Sequence, residues 1–204
     1  MALFMPTNLG AQSLYELSEI PLLPEYCKYS QDFRDRVPGG NNSIEIERWR
    51  SILGITFTHI HHYCYGLVAT NRATLYVRPS QERLRQLNKS IDDFDYVIQR
   101  APPDFKLLPE IYTKKGENLI RLGRGPQGIL ELQFAIELKP EYWPPYGHIS
   151  DYYKGRGDTE KAREWLEKGL GVAPNTRALM RRLAELDGRP KSNRKSAPEP
   201  AANR

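Results

Sequence analysis

Two runs decide the fold: PEIYTKKGENLIRLGRGPQGILELQFAIELKP at 109–140, and EYWPPYGHISDYYKGRGDTEKAREWLEKGLGVAP at 141–174. Shifted by 34 residues, one falls on the other. Tyr112 meets Tyr146, Gly116 meets Ser150, Leu119 meets Tyr153 and Gly123 meets Gly157. Gly128 meets Ala162, Leu132 meets Leu166, Ala135 meets Gly169 and Pro140 meets Pro174. Aromatic, small and turn residues keep their places. Each half therefore reads as two short helices joined by a glycine turn, repeated once.

The period extends in both directions. Ser90, Phe94, Val97 and Pro102 keep the spacing of Gly128, Leu132, Ala135 and Pro140. They lie in a segment, 81–100, whose Leu84, Leu87, Ile91, Phe94, Val97 and Ile98 form a one-sided apolar stripe. A helical pattern over 55–71 completes an imperfect first pair, and about four residues around 103–108 are inserted before the next one. Beyond Pro174, Met180, Leu183 and Ala184 stand 34 residues after Tyr146, Ile149 and Ser150, which predicts a closing helix over 176–186.

A 34-residue period of paired helices resembles the tetratricopeptide repeat (TPR) superfamily. The resemblance implies an all-α fold: a right-handed superhelical stack of helix-turn-helix repeats with a C-terminal capping helix. It also implies a concave groove lined by the first helix of each pair, able to hold a peptide or protein. The residues it places in the groove are His61, Tyr65 and Val68, then Thr113, Glu117, Ile120 and Arg121, then Gly147, Asp151 and Lys154. The chaperone-binding members of the family clamp a terminal carboxylate with lysines, an arginine and asparagines. Here Thr113 and Gly147 stand where a lysine is wanted, and Glu117 and Asp151 where asparagines are. Acids repel a carboxylate, so the clamp is not expected.

The chain divides on this reading into an N-terminal extension at 1–42, a helical region with the imperfect repeat at 43–108, two repeats plus the capping helix at 109–188, and a disordered basic tail at 189–204. Ser43 is placed to cap the first long helix, Ser80 the helix from Gln81, and Asp158 the helix from Thr159. Gly54 interrupts the pattern between 44 and 71.

Composition narrows the function. The net charge is +5, but five basic residues and one acid lie between Arg189 and Arg204, so the excess belongs to the tail. No specific nucleic-acid site is expected on the body. Mean hydropathy is −0.64, and no apolar run approaches the roughly 18–20 residues of a membrane span. Residues 1–13 carry a few apolar side chains but no Lys or Arg. They read as a degenerate export signal or as an ordinary terminus, which leaves cytoplasm and bacterial periplasm both open. Oligomeric state is not written in the pattern.

No phosphate loop, GxSxG, HExxH or GxGxxG is found, and no enzymatic activity or cofactor is expected. Glycines in Gly123-Arg124-Gly125 and Gly155-Arg156-Gly157 belong to the turns inside each repeat. The run His59-Ile60-His61-His62-Tyr63-Cys64 supports a second reading. His59 with His62, and His61 with Cys64, lie at i, i+3 on one helical face, and His59, His62 and Cys64 have the chemistry to hold a metal. The alternative function is thus a metal- or redox-responsive protein on a repeat scaffold. Against it, Cys64 fits the slot of the small residue at a tight helix–helix contact. Cys27 and Cys64 form one disulfide in an oxidising compartment or remain two thiols in a reducing one.

Overall fold

Every regular element of the chain is helical in the computed structural model, which describes residues 14–76 and 80–188. The export signal considered for 1–13, the linker residues 77–79 and the basic tail 189–204 lie outside the described residues. A 3-10 turn (Leu17–Leu22) leads to α1 (Glu25–Tyr29) and α2 (Ser43–Leu53), and a second 3-10 turn (Gly54–Thr58) leads to α3 (Ile60–Thr74) and α4 (Gln81–Ile98). Then come α5 (Leu108–Arg121), α6 (Gly125–Leu138), α7 (Pro144–Gly155), α8 (Thr159–Val172) and α9 (Arg177–Leu186). Among the described residues there is no strand, and no helix is long and apolar enough to cross a membrane. The helices pack as TPR-like pairs: α3 against α4, and α7 against α8.

The 34-residue period is reproduced atom for atom at the turns. Gly123 and Gly157 have φ of +82° and +80°, a region open to glycine at little cost. At the first turn the Gly123 N–H donates to the Ile120 carbonyl and the Arg124 N–H to that of Leu119, both at 2.9 Å. At the second the Gly157 N–H donates to Lys154 and the Asp158 N–H to Tyr153, both at 3.0 Å. This double bond pattern satisfies the last free carbonyls of a helix and fixes the exit direction of the chain. The same turn thus sends α5 into α6 and α7 into α8.

Caps set the helix starts. Ser80 accepts from the Arg83 N–H at 3.1 Å and Asp158 from the Lys161 N–H at 3.0 Å, as expected. At α2 the cap is Asn42, not Ser43: its Oδ1 accepts from the Ile44 and Glu45 N–H groups at 3.0 and 3.2 Å. Ser43 is already helical, so the amide one residue earlier reaches the free donors. Gly54 ends α2 at φ +63°, and α3 starts at Ile60, later than the apolar pattern suggests.

The chain divides into two compact units, with the boundary between Glu131 and Leu132 inside α6. In the first unit Tyr15, Tyr26, Cys27, Phe33 and Val37 are buried together with Leu53, Phe57, Ile60, Tyr63, Cys64, Phe94 and Ile111. The described part of the N-terminal extension thus supplies core. A disulfide joins Cys27 of α1 to Cys64 of α3. Cys64 is a small residue at a tight contact, but with α1; the close approach of α3 to α4 is made two residues on. A Cβ at Gly66 would collide with the Phe94 ring. The insertion at 103–108 brings Phe105 and Leu108 into the same core.

In the second unit Tyr146, Ile149, Ala162, Leu166, Gly169 and Leu179 form the interior. A Cβ at Gly169 would lie 2.8 Å from Leu179 Cδ1 and 2.9 Å from Tyr146 Cβ, so only glycine lets α7, α8 and α9 meet there.

Candidate functional site

The positions that the repeat pattern assigns to a groove meet different fates. His61, Tyr65 and Val68 of α3 are buried, with 7%, 5% and 1% of their surface exposed. Tyr15, Asp32 and Phe33 lie against Tyr65, and Asp32 also against His61. Tyr15 stacks on Phe33 at 4.2 Å between ring centroids, and Phe33 tilts against Tyr65 at 5.1 Å. The sequence offered no local signal for this cover, because its residues come from 28 or more positions earlier.

Asp32 organises that cover. Its backbone is left-handed, φ +68°, a conformation that aspartate tolerates better than most side chains. Its carbonyl accepts from the Tyr15 hydroxyl and its carboxylate from the Tyr65 hydroxyl, both at 3.0 Å. His61 Nε2 stands 4.0 Å from the same carboxylate. Burial holds the His61 imidazole below its ordinary range, aided by the neighbouring His62 and opposed by Asp32. Burial and the bond to Asp32 push the Tyr65 phenol up.

The histidines are held as packing groups. His62 Nδ1 lies 3.0 Å from Asp93 Oδ1, and Lys89 donates to the other oxygen of that carboxylate at 2.8 Å. The His62 ring stacks on Tyr96 at 3.7 Å, and His59 meets the same ring edge-on at 5.8 Å. Cys64 is spent in the disulfide, so the proposed set His59, His62 and Cys64 lacks its thiolate. Among the described residues no group of three or more His, Cys, Asp or Glu side chains is placed to hold a metal ion.

On α5, Thr113 is buried and its hydroxyl donates back to the Pro109 carbonyl at 2.7 Å, whereas Glu117, Ile120 and Arg121 are only partly buried. Glu117 lies 3.6 Å from Lys114. Arg121 donates to Asn118 Oδ1 at 3.1 Å, and burial lowers its pKa from the ordinary guanidinium value. Asn118, which the sequence did not single out, anchors this face. Its Nδ2 donates to Thr70 Oγ1 and to Ser90 Oγ, both at 2.7 Å, while those hydroxyls donate to the carbonyls of Gly66 and Leu87. The side chains of α3, α4 and α5 are thus locked in one buried, mutually satisfied polar node. Where α6 meets α5, a Cβ at Gly128 would fall 2.6 Å from the Gly116 carbonyl.

On α7, Gly147 is buried against Leu179 and Arg182 of α9. Asp151 and Lys154 are exposed on the same helix. Arg182 Nε donates to both Asp151 oxygens, at 3.1 and 3.2 Å, and Lys154 lies 3.6 Å from Glu185. Glu117 and Asp151, 34 residues apart, are therefore accessible carboxylates at one repeat position.

Helix pairs, matched turn glycines and a 34-residue register define a TPR-like helical-repeat protein. No protein-family model matches the chain. It is similar to human protein O-mannosyl-transferase TMTC1, at 25% identity over 100 residues, which are 49% of this chain and 11% of that protein. The mouse protein of the same name is 23% identical over 99 residues, 48% of this chain and 10% of that one. The chain thus spans about a tenth of these relatives' length. Among solved structures, the first TPR of Spaghetti (RPAP3), bound to an HSP90 peptide, matches 60% of this chain and 90% of its own at 18% identity and a TM-score of 0.43.

Proposed function

We propose that the chain is a non-enzymatic protein–protein interaction adaptor that holds a partner peptide or protein on the first helices of its repeats. One observation carries this reading. In the first unit α5 presents the partly exposed Glu117 beside Ile120 and Arg121, and in the second α7 presents the exposed Asp151 beside Lys154, the two acids standing at the same repeat position. Their ion pairs lie at least partly in solvent, where exchanging one for a ligand costs little, and rigid helices present them with little ordering cost. Two acids favour a segment with basic or donor groups over a terminal carboxylate. The transferase activity in the names of the relatives is not carried over, because the shared stretch is so small a part of them.

The test is partner capture by full-length protein with Glu117→Lys and with Asp151→Lys. Each reversal is expected to change what is captured while leaving the far-UV spectrum and Tm near those of the parent, since exposed ion pairs contribute only about 0–1 kcal/mol. Capture unchanged by both would remove these two positions from consideration.

A further inference from the structure

The helix α9 stands in the register of the first helix of a repeat. Met180, Leu183 and Ala184 stand in the register of Tyr146, Ile149 and Ser150, which are 5%, 0% and 1% exposed beside α8. Met180 is 44% exposed and Leu183 and Ala184 are half-buried, and among the described residues no helix follows α9. One side of α9 is used: Leu179 fills the Gly169 contact, Arg182 pairs with Asp151, and Arg163 with Asp187. On the other side, among the described residues, Met180, Arg177 and Arg181 are exposed around the half-buried Ala184.

We infer that this open side of α9 docks an amphipathic helix of a partner protein, one that carries the small–x3–Leu–x2–small pattern and acids along its edge. The pattern is what the chain itself presents at this place in the preceding repeats: Gly128, Leu132 and Ala135 on α6, and Ala162, Leu166 and Gly169 on α8. The acids follow from charge. Arg177 and Arg181 lie one turn apart on the rim and have no ion-pair partner among the described residues. Charge also argues against two nearer occupants. A second copy would set these arginines against their own equivalents. Residues 189–204 hold no apolar side chain larger than alanine apart from prolines, and five basic residues against one acid.

The probe is a fluorescein-labelled synthetic peptide of residues 158–173 carrying Lys161→Glu and Lys168→Glu, titrated with the full chain and followed by anisotropy. Saturable binding is expected, weakened at least tenfold by Ala184→Arg and by Leu166→Asp in the peptide. The double reversal Arg177→Glu, Arg181→Glu should weaken it about tenfold, and a peptide with its glutamates replaced by lysines should recover the loss. Glu117→Lys, on the other candidate face, should leave it unchanged. No binding overturns the inference. So does binding that ignores the α9 substitutions, which would mean that the peptide displaces α8. A dimer in sedimentation that Ala184→Arg dissociates assigns the face to a second copy and overturns it too, as does a tenfold tighter affinity on deleting 189–204.

Discussion

The first helix pair and the last solve the same problem in opposite ways. A helix hairpin has more apolar surface than its two members can cover. In the first pair the chain folds its own residues 15–37 over α3, adds a disulfide, and buries Tyr65 and Val68 to 5% and 1%. In the last pair one amphipathic helix, α9, covers α7 and α8 and leaves Met180 44% exposed. Among the described residues, the chain's own N-terminal segment covers α3, whereas the outer side of α9 keeps Met180 exposed.

The largest expected effect breaks the seal. Replacing Cys27 and Cys64 together by serine removes a crosslink across 37 residues. By the chain-entropy model, itself one account among several, this costs about 2–4 kcal/mol. Thermal unfolding of the oxidised parent and the double variant measures it. A variant as stable as the parent would mean that the non-covalent contacts of Tyr15, Glu19, Asp32 and Phe33 suffice to hold the cover in place.

The corresponding lesion in the last pair is Gly169→Leu. Even a Cβ falls at 2.8 Å from Leu179, so a leucine forces α9 away. Overpacking of this kind costs about 1–3 kcal/mol and should lower Tm. The matching change in the first pair, Gly66→Ala, pushes on an aromatic ring that the surrounding core holds, and belongs in the same range. If Gly169→Leu were neutral, α9 would not be the fixed platform that the docking inference needs.

These glycines show what the sequence makes legible. Turn glycines, small contact residues and capping serines are set by local backbone needs, so Gly123, Gly157, Gly169 and Ser80 were readable from spacing. One assignment moved by a residue, the α2 cap from Ser43 to Asn42, and the small contact residue Cys64 meets α1 while Gly66 makes the close approach to α4. A helical stripe constrains which face is buried, not which neighbour buries it. Of the residues assigned to a groove, the three on α3, His61, Tyr65 and Val68, are buried. His61 and Tyr65 are covered through a non-local contact with Asp32, whose left-handed turn carries no motif, and no period announces a partner 29–33 residues away. Asn118 escaped notice for the same reason, since its hydroxyl partners lie on two other helices.

A smaller effect sharpens the contrast at the polar node. Asn118→Ala removes the donor shared by Thr70 and Ser90 in the first unit, and the lost buried bonds cost about 1–3 kcal/mol. Hydrogen exchange should then rise in α3, α4 and α5 together, because one side chain ties all three. A rise confined to α5 would show that the node satisfies its own helix without coupling the pair.

The smallest expected effect concerns acid, and its sign follows from Glu19. Burial raises the pKa of this carboxyl, but the Arg72 guanidinium, at 2.7 Å from each oxygen, and the Glu16 N–H together outweigh burial and hold it below the usual carboxylate value. A depressed folded pKa contributes stability that is fully present above the unfolded value, near 4.5, and is lost as pH falls through the folded one. The 3-10 turn from Leu17, which lies against α3 through this pair, should therefore loosen in acid before α7 and α8 do. Glu19→Gln should flatten the dependence of stability on pH below about 4.5 and leave it unchanged near neutrality apart from a constant offset. The pair is largely shielded from solvent, so moderate salt should screen it less than the exposed pair of Arg182 and Asp151. Equal salt sensitivity at both ends would mean that the sealed end is as wet as the open one, and that the disulfide, not the ion pair, is what keeps residues 15–37 in place.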